Sequence, residues 1–361
     1  MSRADRPAWR EPVRVALSDT HRSRQPGPAA DGPLALETVF LRYDDQGDRR
    51  CDLIAKTSRT TRWLAYGLFV LAAGLMANSI LGPLVADIIQ YRYSTSLINQ
   101  GIGLDAVALF VAGPAAVMAG LLLLRGHQAG PVLAFIPATF VAYMAPQYIV
   151  GPEYLEIPGN NEQFFLFHLA IFVLAVTVLF VAWTMVGHGG LASTASVSDR
   201  RLGVVMLGVV GFVALGRWLP AIADVMSGQP SSADYLENPT AFFVIGLLDL
   251  GLVVPAAVAS FVGLRLRTGW ARQAAYAVIG WFTLVPAAVA AMAVTMWIKD
   301  DSNITNATAM VFVVAAAIFT TGAALLYRPL FTAGLPEIPK EDHPAVGTPS
   351  HAGRQHGSAD T

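Results

Sequence analysis

The chain has 361 residues, 54% hydrophobic and 14% charged, with a mean hydropathy of +0.51 and a formal net charge of −1. A soluble domain carries about 25% charged residues, and here the deficit lies in the middle of the chain, between polar stretches at 1–62 and 329–361. The near-neutral balance leaves no global attraction to nucleic acid, and the single cysteine, Cys51, excludes an internal disulfide and paired-cysteine redox chemistry.

Residues 1–62 read as a cytoplasmic N-terminal tail. The stretch "RQPGPAADGP" (24–33) is too rich in Pro, Gly and Ala to pack a core. The following "ALETVFLRYDDQGDRRCDLI" (35–54) has enough apolar content for one short element on the cytoplasmic face. No short apolar run with a cleavage site follows the Arg-rich start, so the first span is expected to serve as an uncleaved anchor.

Eight segments then reach the roughly 20 apolar residues that a helix needs to cross a bilayer core: 65–89, 102–124, 130–150, 164–186, 202–224, 241–264, 273–297 and 308–327. Backbone groups in lipid must be paired within the segment, and the period-two alternation of a barrel strand is absent, so these are helices. The predicted fold is an all-α integral membrane protein of eight transmembrane helices. Its parts are a first four-helix unit (63–187), a cytoplasmic linker (188–201), a second four-helix unit (202–328) and a cytoplasmic C-terminal tail (329–361). His343, His351 and His356 in that tail are spaced too widely for a metal-binding tract.

Charge in the short loops sets the expected orientation. Arg125, Arg200, Arg201, Arg265, Arg267, Arg272 and Arg328 follow the even-numbered helices. The odd loops "GPEYLEIPGNNEQ" and "SGQPSSADYLENPT" carry acids and no Lys or Arg, with Arg92 and Lys299 the exceptions in the other two. The positive-inside rule puts both termini in the cytoplasm. The basic residues are nearly all Arg, which with the abundant Ala, Gly and Val is associated with GC-rich bacterial genomes, so the expected location is a bacterial plasma (inner) membrane.

The tetrapeptide P-A-A-V occurs at Pro114, Pro255 and Pro286. The first helix ends "GPLVADII" and the fifth "LPAIADVM", each giving P-x-x-A-D, and each is followed by an acid early in the next helix, Asp105 or Asp249. This order of matches predicts a 4+4 parallel pseudo-repeat about an axis along the membrane normal. The register is imperfect: Asp105 lies nine residues before Pro114, Asp249 six before Pro255. In either case P-A-A-V reads as a packing device, Pro kinking the helix and Ala allowing close approach.

Charged residues within spans face a cavity or a partner. Asp87, Asp105, Asp224 and Asp249 all fall toward the outer side. Arg217 lies seven residues before Asp224, hence about 10 Å deeper on the same helix face, and is expected to pair with Asp249. Two readings stand for these acids: helix-end and structurally paired residues, or an outward-facing acidic vestibule that binds a cation or cationic solute. His168 is the one histidine inside a span, with Tyr143, Gln147 and Tyr148 expected nearby. A lone histidine in "FFLFHLAIF" is more often an interhelical hydrogen-bonding group than a proton relay or metal ligand. The sequence holds no phosphate-binding glycine loop, zinc-protease motif or nucleophile elbow. No catalytic residue, cofactor or metal site is therefore expected.

The stretches "LLLLRGHQAGPVLAFIPATFVAYMAPQYIVGPEY" and "GNNEQFFLFHLAIFVLAVTVL" combine an R-G turn, a Tyr-bearing helix, an Asn-containing loop and a Phe-rich helix. In this the chain resembles a group of uncharacterised bacterial polytopic inner-membrane proteins, over helices two to four and more faintly at "LLDLGLVVPAAV". The resemblance implies a multi-pass inner-membrane protein and no activity. Two functions follow from the sequence: a transporter- or channel-like protein with its site at the outer acids, or a non-transporting accessory or scaffold protein of a membrane or envelope complex. Partners beyond the lipid bilayer would be a membrane protein or a second copy of the chain.

Overall fold

A computed structural model describes residues 59–189 and 197–332. Apart from a few residues at their edges, the tails at 1–62 and 329–361 and the centre of the linker at 188–201 lie outside the described residues, as do Cys51 and the three tail histidines. The described residues form helices and no strands. Eight of the helices are long and apolar enough to cross a membrane: α1 (Arg59–Leu81), α2 (Thr95–Leu124), α3 (Gly130–Val150), α4 (Asn161–Gly187), α5 (Asp199–Met226), α6 (Pro239–Arg265), α7 (Ala271–Ile298) and α8 (Asn306–Phe331).

The ends of these helices follow from local chemistry. α1 stops at Leu81, not near 89 as the apolar run suggested, because Gly82–Pro83 cannot continue the helix and the chain turns back with Asp87 at φ +49°. α2 starts at Thr95, earlier than expected, because the Ser94 hydroxyl accepts from the Leu97 N–H. Thr305 caps α8 in the same way through the Thr308 N–H.

Three helices contain a π-helical stretch: Ala108–Ala112 in α2, Gly211–Trp218 in α5 and Asp249–Val253 in α6. Each ends two residues before a proline, Pro114, Pro220 or Pro255. A proline has no N–H and its ring clashes with the carbonyl four residues back. Widening the preceding turn moves that conflict, and the residue before each proline donates to the carbonyl five back: Gly113 to Ala108, Leu219 to Ala214, Val254 to Asp249. α2 and α6 thus share one irregularity at the same place relative to Pro-Ala-Ala-Val. α1 and α5 differ, since α1 ends at its proline and α5 passes through.

α7 is the hub of the bundle, packed against α2, α3, α6 and α8. Its crossing with α2 is close because Gly103 has no side chain: a Cβ there would stand 2.4 Å from the Ala291 carbonyl oxygen. α3 pairs with α4 and α5 with α6. α1 fits against α2 and α4, where Gly67 and Gly74 admit Val178 and Ile171. α8 packs extensively on α7 and makes no extended packing with α5.

The loops after α1, α3, α5 and α7 share one end of the bundle, here the odd-loop end, and are tied together. Arg92 donates to both carboxylate oxygens of Glu162 at 2.6 and 3.0 Å and to the Ile157 carbonyl at 2.9 Å. Glu153 accepts from the Thr240 N–H and hydroxyl, both at 2.7 Å, at the start of α6. Asn238 accepts from the Ser94 N–H and donates to its hydroxyl. At the opposite end Arg272 of α7 donates to Asp199 of α5 at 2.6 Å.

Candidate functional site

The polar residues inside the bundle fall into two groups. The first joins α1 to α4. Asn78 of α1 donates to Asp105 Oδ1 of α2 at 3.4 Å, and its side-chain oxygen meets His168 Nε2 of α4 at 3.0 Å. The same oxygen accepts from the Tyr91 hydroxyl at 3.3 Å. Tyr148 of α3 reaches Asp105 Oδ1 at 3.5 Å and stacks on His168 with ring centroids 5.3 Å apart. Asp105 and His168 are fully enclosed, at 0% and 2% exposure. His168 is therefore an interhelical hydrogen-bonding residue, and the group holds four helices together; Asn78, Asp105 and His168 lie outside the large cavity, while Tyr91 and Tyr148 also line it.

The second group joins α3, α5 and α6 and faces a cavity. Asp249, at the first position of the π-helical stretch of α6, accepts from the Tyr143 hydroxyl of α3 through Oδ1 and from the Trp218 indole N–H of α5 through Oδ2, both at 2.6 Å. Arg217 Nε stands 3.9 Å from Asp249 Oδ2, and its guanidinium lies 5.4 Å from the centre of the Trp218 ring. The Asp249 side chain is 6% exposed and that of Arg217 46%. The ring of Trp281 in α7 meets that of Tyr143 edge-on at 5.2 Å. The Trp281 indole N–H is buried and has no hydrogen-bond partner among the described residues.

The cavity has a volume of about 660 Å³. It is lined from α2, α3, α5, α6, α7 and α8, with loop residues Ser232–Asp234 and Asn303–Ile304 at one end. Phe212, Phe282 and Phe319 form an aromatic cluster in its wall, with ring centroids 4.8 to 5.9 Å apart. Its size falls in the range of about 300–1,000 Å³ of small-molecule sites, as does its largely apolar lining with a few convergent polar groups.

The four acids read as one vestibule do not share it. Asp249 lines the cavity. Asp105 is sealed in the first group. Asp87 is exposed in the loop after α1, not at a helix end. Asp224 accepts from the Ser231 N–H and hydroxyl and from the Ser232 N–H, which closes the turn after α5. The correction has two causes: the proline stop that ends α1 early, and the serines that follow α5. Tyr143 and Tyr148 also separate. Five residues on a helix turn about 140°, so the first faces Asp249 and the second His168.

Trp218 and Trp281 are not among the residues that the sequence singles out. Their signal was position, because both sit well inside a span, where an indole N–H needs a partner. No group of three or more metal-ligating side chains occurs among the described residues. No protein-family model, curated protein or solved structure matches the chain. The class rests on the molecule itself: an α-helical multi-pass membrane protein with a cavity inside its bundle.

Proposed function

We propose that the protein binds a small, largely apolar molecule in this cavity, as a transporter-like membrane protein does. The carrying observation is the cavity of about 660 Å³, largely apolar in its wall, with Asp249, Arg217, Tyr143, Gln147, Tyr148 and Gln100 among its polar lining residues and Ser232, Asp234 and Asn303 at its loop end. Specificity in such sites comes from a few placed polar groups in an apolar wall. An ionisable residue within a span and at the wall of a cavity is by default a candidate for a substrate path. The arginine-rich even loops support a cytoplasmic even-loop end in a bacterial inner membrane, with the cavity then opening outward. The shared π-helical stretch before Pro114 and Pro255 supports a parallel 4+4 repeat.

A scaffolding role gains from Asp105 and Asp224 being committed to structural bonds, but gives no reason for the cavity. The test is thiol accessibility in a Cys51→Ser background. Gly101→Cys and Gly216→Cys line the cavity, and a Cβ at either has room. Ser302→Cys and Gly269→Cys report the odd-loop and even-loop ends. An impermeant maleimide added to intact cells should label Ser302→Cys, Gly101→Cys and Gly216→Cys and leave Gly269→Cys untouched. Unlabelled cavity cysteines beside a labelled Ser302→Cys in folded protein would overturn the open-cavity reading. Labelling of Gly269→Cys alone would reverse the orientation.

A further inference from the structure

The polar end of the cavity has an imbalance. Both oxygens of Asp249 already accept hydrogen bonds, from Tyr143 and Trp218. Two other donors that line the cavity make no hydrogen bond among the described residues. Arg217 touches Asp249 only at 3.9 Å, beyond hydrogen-bond distance, and its guanidinium makes no hydrogen bond among the described residues while its side chain remains 46% exposed. Trp281, 5% exposed, has a buried indole N–H without a partner. An unsatisfied buried donor is costly, and a guanidinium presents a planar fork matched to a carboxylate or phosphate. Asp234, the other charged residue lining the cavity, is exposed at the loop end.

We infer that the ligand is an amphiphile with an anionic head, held at Arg217 and Trp281, and an apolar chain lying against Phe212, Phe282 and Phe319. This inference rests on the cavity being a binding site. It reverses the charge expected from the acids, because the acid that lines the deep part of the cavity is already paired. A chain dissolved in the bilayer would enter between α5 and α8, which make no extended packing and meet at the rings of Phe212 and Phe319, 5.6 Å apart.

The full chain in phosphatidylcholine nanodiscs is tested with three radiolabelled probes of equal chain length: dodecyl phosphate, dodecanol and dodecyltrimethylammonium. Dodecyl phosphate should bind about tenfold or more tightly than dodecanol, and the cation most weakly. Arg217→Gln should remove the advantage of the phosphate and leave dodecanol unchanged. Trp281→Phe should lower phosphate affinity severalfold, and it carries the test if Arg217→Gln does not fold. Ala315→Trp, which fills the cavity, should weaken every probe. Displacement of dodecyl phosphate by dioleoyl phosphatidate would identify the head as that of a bilayer lipid; failure to displace it would identify a single-chain amphiphile. Equal binding of all three probes, indifferent to Arg217→Gln, would overturn the anionic head and leave the cavity reading standing, as would tightest binding of the cation. No binding of any probe, with Ala315→Trp without effect, would overturn both.

Discussion

Asp249 takes two hydrogen bonds of 2.6 Å from neutral donors and meets its cation only at 3.9 Å. Its buried charge is held more by Tyr143 and Trp218 than by Arg217. Hydrogen bonds to a buried charged group are worth about 1.5–3 kcal/mol, whereas a half-exposed ion pair is worth about 1 kcal/mol or less. Tyr143→Phe and Trp218→Phe should therefore each cost more stability than Arg217→Gln, measured by denaturation in detergent; the reverse order would show that the ion pair dominates. The approach of Arg217 to Asp249 could be anticipated from helical spacing and depth. The two donors could not, because α3 and α5 meet α6 through tertiary packing that no spacing encodes. A second residue-scale expectation concerns Asp301, in the loop after α7. Burial raises its carboxyl, but bonds from the Asn99 side chain, the Asn303 N–H and Ser96 outweigh it, and the group lies below the ordinary aspartate value. A folded value below the unfolded one adds stability above about pH 4, which is lost as pH falls through the folded value. The melting temperature of Asp301→Asn should fall less steeply than that of the wild type between pH 5 and pH 3.

At the scale of elements, the recurrence of Pro-Ala-Ala-Val was visible in the sequence, and its consequence in α2 and α6 was not. A kink was the natural expectation; the helices instead widen by one residue per turn before the proline. A widened turn depends on which carbonyl finds a donor, and that depends on neighbours far away in the chain. Pro286 shows the dependence, since α7 carries the same tetrapeptide and stays α-helical through it. The difference gives an expectation. Pro286→Ala restores an N–H in an already regular helix and should be neutral or stabilising. Pro255→Ala removes the reason for the wide turn. Return to α register would rotate the first half of α6 by about 100° relative to its second half and carry Asp249 away from Tyr143 and Trp218. Pro255→Ala should therefore lower the melting temperature although alanine is the better helix former. Equal effects of the two substitutions would mean that the wide turn is set by side-chain packing and not by the proline.

For the whole molecule, the eight spans were legible because a bilayer imposes one simple requirement on length and polarity. Their arrangement was not. A lipid-facing and a buried helix have nearly the same composition, and the sequence assigned no hub. In the structure, half or more of the apolar window of α3 and of α7 is buried (56% each), against 17% for α8. α8 packs extensively on α7 alone, and the half of α5 that contains Gly216 and Arg217 packs on α6 on one side and borders the cavity on another. Backbone amides there lose both the packing that resists local opening and the lipid that keeps water away. Hydrogen exchange of the protein in nanodiscs should accordingly be slowest in the centres of α3 and α7 and fastest, among the spans, in the odd-loop halves of α5 and α8. The ligand sharpens the expectation. An amphiphile seated against Phe212 and Phe319 excludes water from both helices at once, so dodecyl phosphate should slow exchange in α5 and α8 together and leave α1 and α4 unchanged. Slowing spread evenly over all eight spans would indicate stabilisation of the whole bundle, and slowing confined to the loops would place the bound molecule outside the cavity.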